Sequence, residues 1–248
     1  MKQEKPLFYA IRFALISFIC AAVIFVLGVT LTGYMKNAKS TTSLPVFNES
    51  NKIRFVIDAG HGGEDAGAVA DDGTLEKDLN LKIAHLLGAI LELNGNEVVL
   101  TRENDTLLYD YYDDLKDYTG QKKVYDLKNR LKIAQKKENS IYVGIHMNKF
   151  PVSKYSGLQV YYSPNNDLSY DVATLVKSSV KKYLQPENKR EIKRADGSIY
   201  ILSHAEIPAV LIECGFLSNE TELENLKSQE YQRALALTLF SSLVGYGN

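Results

Sequence analysis

The sequence predicts a three-layer α/β/α single domain with a mixed, mostly parallel sheet, preceded by an N-terminal transmembrane or signal segment. Three observations carry this. Short apolar runs alternate with stretches of helical apolar spacing, the pattern of a sheet covered on both faces. The first strand, helix and strand follow in the order of a βαβ unit, which predicts parallel pairing. Three apolar runs also end on reactive side chains: Arg54-Phe-Val-Ile-Asp-Ala-Gly-His61, Ser140-Ile-Tyr-Val-Gly-Ile-His146 and Pro208-Ala-Val-Leu-Ile-Glu213. Strand ends at one edge of a parallel sheet are where such folds build their sites.

The elements follow in order. Phe13 to Met35 is uncharged and largely apolar, and its 23 residues are enough to cross a bilayer as a helix. Lys2, Lys5 and Arg12 precede it, which favours a cytoplasmic N-terminus and an outer body. A cleaved signal peptide is the rival, although its apolar core is usually shorter. Residues 1–35 are thus expected to form a cytoplasmic stub and signal anchor, 36–51 a polar linker, and 52–248 the catalytic domain. Ile53–Ile57 predicts a buried strand. Glu76–Leu93 predicts a helix with Leu79, Ile83, Leu86, Leu87 and Ile90 on one face, stopped by Asn94-Gly95. Glu97–Leu100 is the second strand. Asn104–Thr119 is acidic and tyrosine-rich, without a clear period, and is expected as a loop or short helix beside the site. Val124–Lys137 predicts a helix with Leu127, Leu131 and Ala134 inward. Ser140–Ile145 and Gly157–Tyr162 predict strands, and Tyr170–Leu184 a helix. Asn188–Gly197 reads as a charged loop. Ser198–Leu202 and Ala209–Ile212 read as short strands, Ser218–Gln232 as a polar stretch with a capped helical turn, and Tyr231–Val244 as a closing helix.

Composition narrows the function classes. The 248 residues suit one larger domain plus an anchor, and 29 basic against 30 acidic side chains steer nothing toward nucleic acid. Cys20 lies in the apolar N-terminal run and Cys214 beside a buried-looking strand, so no disulfide framework is expected.

His61 stands among glycines that allow tight turning and close approach of a ligand. A metal ligand, metal-free catalysis and a structural role all remain open for it. A phosphate nest is a further reading, but no Gly-Lys-Ser/Thr follows, which excludes a P-loop. Glu76 opens a helix, where an acidic residue is ordinarily just favourable with the dipole. One crossover after His61, its carboxylate can also point back over the sheet edge. With His146 it would complete two imidazoles and a carboxylate, a zinc set that leaves room for water. His146 can equally be a satisfied structural histidine. Glu213 is costly in a buried strand unless paired or functional, and suits a general base. Cys214 faces the other way along the strand, which argues against a thiol nucleophile. His85 reads as a helix-surface or packing residue, and His204 as a loop residue within reach of substrate.

Six segments then carry a resemblance: Val56-Ile-Asp-Ala-Gly-His-Gly-Gly63, Leu75-Glu-Lys-Asp-Leu-Asn-Leu81, Val99-Leu-Thr-Arg102, Leu127-Lys-Asn-Arg130, Ile145-His-Met-Asn148 and Pro208-Ala-Val-Leu-Ile-Glu-Cys-Gly-Phe-Leu-Ser-Asn219. In this order they resemble the zinc-dependent N-acetylmuramoyl-L-alanine amidases of bacterial cell walls, over about Ile53 to Tyr246. The resemblance implies Zn²⁺ held by His61, Glu76 and His146, with Glu213 as the catalytic glutamate. It implies hydrolysis of the amide between the lactyl group of muramic acid and L-alanine in peptidoglycan muropeptides. Ala59 stands where many members have proline, and Met147 where many have alanine; neither change removes a ligand. Anchor plus catalytic domain resembles the membrane-anchored spore-cortex and germination amidases. That implies an extracytoplasmic place in the developing spore, a first step toward muramic-δ-lactam, and a possible lipoprotein activator. Tyr109 to Tyr112 would then serve such a partner or line the glycan groove. Another zinc-dependent cell-wall peptidase or deacetylase, and a non-catalytic peptidoglycan-binding protein on the same fold, are the alternatives.

Overall fold

A computed structural model describes residues 53–245. The expected membrane segment, the linker and the boundary at 52 lie outside the described residues. Among the described residues, no helix is long and apolar enough to cross a membrane.

Twelve elements follow along this region: β1 (Arg54–Ala59), α1 (Glu76–Leu93), β2 (Glu97–Leu100), α2 (Lys122–Ala134), β3 (Ser140–Asn148), β4 (Gln159–Tyr162), α3 (Leu168–Tyr183), β5 (Lys193–Arg194), α4 (Tyr200–His204), β6 (Ala209–Phe216), α5 (Glu220–Lys227) and α6 (Gln229–Val244). The six strands form one sheet in the order β2-β1-β3-β6-β4-β5. Every pair is parallel except β4 with β6. The expected mixed, mostly parallel sheet is therefore present.

Side chains alternate along the strands, so each strand feeds two cores. Phe55 and Ile57 of β1, Ile141 to Met147 of β3 at every second residue, and Val210, Ile212 and Cys214 of β6 pack with residues of α1, α3 and α6. Val56, Tyr142 and Ala209 face the other way, toward Ile133 and Ala134 of α2 and Ile201 and Leu202 of α4. Helices on both faces cover the sheet, as the strand pattern requires.

Several boundaries differ from expectation. Ser198–Leu202 is not a strand: α4 forms there. Asp196 Oδ1 accepts from the Ser198 N–H at 2.9 Å, turning the chain. Ser203 N then donates to Ile199 O, while Ile201 and Leu202 bury into the second core. A single helical turn thus buries the same two apolar residues that suggested a strand. The charged loop at 188–197 contains β5, which pairs with β4. Strands β3 and β6 run past their apolar stretches, so His146 and Glu213 lie within strands, with a register irregularity between His146 and Asn148. The polar stretch after Ser218 holds α5, capped by the Asn219 side chain accepting from Glu222 N, and the closing helix already starts at Gln229. In α2 the buried stripe is polar, with Asp126, Asn129 and Arg130 inside, while Leu127 and Leu131 are only half-buried against the second core.

Candidate metal centre

Three elements deliver the candidate ligands. His61 follows β1 by two residues, in the left-handed region at φ 62°. Glu76 is the first residue of α1, and His146 lies on β3. His61 Nε2 is 3.3 Å from Glu76 Oε1, and His146 Nδ1 is 3.0 Å from the same oxygen. Nitrogen and oxygen atoms of the three residues all fall within 4.8 Å of one another, a group that could hold a metal ion. Tetrahedral zinc with bonds of about 2.0–2.2 Å sets neighbouring ligand atoms roughly 3.3 Å apart, so donor type and spacing fit.

The surroundings orient each donor. His61 Nδ1 lies 3.0 Å from Asp65 Oδ2. A proton on Nδ1 donated to that carboxylate leaves the Nε2 lone pair facing Glu76. Glu76 Oε2 accepts from Ala68 N at 2.8 Å, and Oε1 from Met147 N at 3.0 Å. Burial alone would raise the Glu76 carboxyl, but hydrogen bonds to His146 and His61 hold it well below the carboxylate range. Burial opposes charge on His61 too, yet Glu76 and Asp65 raise its pKa. The centre is thus built around a firmly ionised carboxylate.

Close packing at two glycines is part of the arrangement. A Cβ at Gly60 would lie 2.2 Å from His146 Cε1 and 2.4 Å from its Nε2. Gly67, at φ 67°, would place its Cβ 2.6 Å from Glu76 Oε2. Neither position has room for a larger residue.

Beneath the centre lies a buried polar network that the sequence reading did not single out. Asp58 accepts from Arg130 NH1 at 2.7 Å, from Tyr142 OH at 2.7 Å and from Thr101 Oγ1. Arg130 also donates to Ala59 O at 2.8 Å and His61 O at 2.7 Å, and pairs with Asp126 at 2.7 Å. Arg102 donates to Ala59 O at 2.9 Å and Gly60 O at 3.1 Å, and Asn80 to Gly60 O at 3.1 Å. The carbonyls of Ala59, Gly60 and His61 are all clamped by side-chain donors. The available signal was Asp58 within the otherwise apolar run Phe55 to Ala59, together with arginines at the ends of two motif segments.

Glu213 sits on β6 directly across from His146 in the parallel register. Its Oε2 is shielded from solvent and has no hydrogen-bond partner among the described residues. Burial pushes the carboxyl up to about 7; the Glu76 charge adds to this, and His146 and His61 pull it down. Cys214 points into the opposite core, fully buried, and burial pushes its thiol up. A cavity of about 250 Å³ opens beside both imidazoles, with Leu127, Ile201 and Leu211 on its walls. Helix α4 supplies part of that wall. His85 is exposed and contacts Glu103 O, whereas His204 stacks on Tyr200 and makes no contact with the ligand triad.

Fold and site together define a three-layer α/β/α protein with a candidate metal centre. The chain belongs to the N-acetylmuramoyl-L-alanine amidase family, whose model matches residues 55–243. It hydrolyses peptidoglycan between N-acetylmuramic acid and L-alanine. It is 35% identical over 204 residues to the germination-specific N-acetylmuramoyl-L-alanine amidase of Bacillus subtilis, covering 82% of each chain. The CwlD amidase of Clostridioides difficile, solved in complex with the GerS lipoprotein, superposes with a TM-score of 0.73 at 40% identity, over 79% of this chain and 98% of that one. The amidase AmiC2 of Nostoc punctiforme gives 0.64 at 30% identity, over 78% and 96%.

Proposed function

We propose that this amidase binds Zn²⁺ through His61, Glu76 and His146, uses Glu213 for proton transfer, and acts on spore-cortex peptidoglycan. The observation that carries the site assignment is the convergence of two imidazole nitrogens on Glu76 Oε1 at 3.0 and 3.3 Å, with Glu213 one strand away. Zinc bound there would polarise the scissile carbonyl and make water acidic near neutral pH.

The chain's own groups divide the remaining work. Glu213, unpartnered at Oε2, takes a proton from the attacking water and returns it to the L-alanine nitrogen as the amide C–N bond breaks. The peptide leaves with a free amine, and the glycan keeps the lactyl carboxylate. The apolar wall of the 250 Å³ cavity accepts the alanine methyl group. Asp65 holds His61 in the tautomer whose free Nε2 would face a bound metal.

The cortex assignment rests on similarity to the germination-specific amidase and to CwlD. CwlD was solved with a lipoprotein, and a lipoprotein partner for this chain is part of the same reading. So is an extracytoplasmic location, with the N-terminal segment as membrane tether. Zinc stoichiometry measured together with product masses from a defined muropeptide tests the reading. One zinc per chain, a free stem peptide and a disaccharide that keeps its lactyl carboxylate are expected. Release of acetate, or cleavage inside the stem peptide, would assign a different hydrolase.

A further inference from the structure

The segment from Lys149 to Ser156 is exposed at every residue, yet it carries Phe150, Pro151, Val152 and Tyr155. Phe150, Val152 and Tyr155 are 45%, 43% and 40% exposed. Exposing three large apolar side chains within eight residues is costly unless something covers them. The segment is not loosely held. Gly157 N and Phe216 N both donate to the Glu222 carboxylate, at 2.7 and 2.8 Å. Phe150 N donates to Ser218 Oγ, and Asn219 Nδ2 to Ser153 O.

Its rings join a ladder. Phe150 meets Tyr155 edge-on at 5.0 Å, Tyr155 lies tilted against Phe216 at 6.4 Å, and the Arg190 guanidinium stacks over Phe216 at 4.5 Å. Arg190 Nε donates to Ser156 O at 2.7 Å, and its terminal nitrogens have no hydrogen-bond partner among the described residues. The ladder borders a groove of about 730 Å³ lined by Lys154, Tyr155, Lys189, Arg190, Asn225 and Tyr231 among others. Glu187 and Glu222 also face it, so basic groups exceed acidic ones by one.

Continuity with the reaction centre says what covers this surface. The segment leaves β3 three residues after His146 and packs on Phe216, three residues after Glu213. A polymeric substrate whose scissile amide lies at Glu213 has sugars extending away on both sides. Amino-sugar rings offer apolar faces to aromatic rings, acetamido groups to amides such as Asn225, and carboxylates to Arg190 and the lysines.

We propose that the groove lined by Tyr155 and Arg190, with Phe150 at its border, is a glycan subsite, binding N-acetylated amino sugars of the strand next to the unit being cut. The assignment rests on the peptidoglycan reading above. It predicts that the enzyme distinguishes a polymer from a single muropeptide through KM.

The test uses the full-length protein and two variants, Tyr155→Ala and Arg190→Gln. Binding of peptide-free oligosaccharides of alternating N-acetylglucosamine and N-acetylmuramic acid is followed by calorimetry, which needs no turnover. Kinetics are measured on polymeric glycan and on a single disaccharide peptide. The wild type should bind the oligosaccharide. Tyr155→Ala should weaken binding and raise KM for the polymer about fivefold to tenfold, with kcat and all constants for the single unit unchanged. Arg190→Gln should act in the same direction. No oligosaccharide binding by the wild type overturns the proposal. So do equal losses on both substrates, or no change on either; the last outcome would assign the surface to a protein partner. If the wild type fails to cleave the single muropeptide, the amidase reading is at fault, and the binding measurement still decides the subsite.

Discussion

Glu213 and His146 are opposite residues in the parallel pairing of β6 with β3, so their side chains rise from neighbouring strands on one face of the sheet. One belongs to the ligand cluster, whereas the other ends in a shielded oxygen with no hydrogen-bond partner among the described residues. In the proposed mechanism, a base beside the candidate ligands but outside them separates metal binding from proton transfer.

That separation is testable at Glu213. Glu213→Gln should keep the zinc content of the wild type while lowering kcat by roughly 10²–10⁴-fold. Metal quantification alongside product release checks both halves. A variant that loses zinc would move Glu213 into the ligand set.

Asp65 touches the centre only through His61, at 3.0 Å from Nδ1. Asp65→Asn should weaken zinc binding by about 10–100-fold, with kcat largely recovered at saturating zinc. Competition with a metal chelator reads the affinity directly. Unchanged affinity would remove the orienting role.

Acid should expose the network beneath the site. Burial alone would raise the Asp58 carboxyl, but Arg130, Thr101 and Tyr142 outweigh it and hold it at about 2, against an ordinary 3.8. A depressed folded pKa means that the unfolded chain binds the proton more readily. The contribution is complete above about pH 4 and is lost as pH falls toward 2. It amounts to about 2–3 kcal/mol. Urea unfolding between pH 5 and 2 should show this slope.

Removing only one partner of that network is the severe change. Arg130→Met leaves Asp58 and Asp126 buried without their cation, frees the His61 carbonyl and leaves Ala59 O with Arg102 as its remaining side-chain donor. A loss of about 3–5 kcal/mol is expected by denaturant unfolding. If the fold survives, zinc affinity should fall as well, because the His61 backbone loses its clamp.

Cys214 supplies a negative control. It is fully buried on the face opposite Glu213. Cys214→Ala should retain kcat, at a cost in stability from the small cavity it leaves. Loss of turnover with normal zinc content would reopen thiol chemistry.

The strand and helix pattern was legible because strands buried on both faces, such as β1 and β3, read as short continuous apolar runs, whereas α1 carries the 3.6-residue period. The stretch 198–202 misled because a single helical turn buries Ile201 and Leu202 as well as a strand would. The polar stripe of α2 was hidden for a related reason. Leu127 and Leu131 look inward by hydrophobicity, but Asp126, Asn129 and Arg130 take the interior because Asp58 and the loop carbonyls require donors and counter-charges there.

Sequence alone determined the layers and the parallel pairing, and it singled out His61, Glu76, His146 and Glu213 as candidates. Apolar runs, helical periodicity and motif order are local properties, readable one segment at a time. Only the tertiary structure decided that both imidazoles meet one oxygen of Glu76, that Asp65 and Arg130 hold the His61 loop, and that Phe150 and Tyr155 meet edge-on in an exposed segment. Those relations join residues up to 70 positions apart, and each depends on strand register and helix docking at ångström scale. No single stretch of the chain encodes such distances.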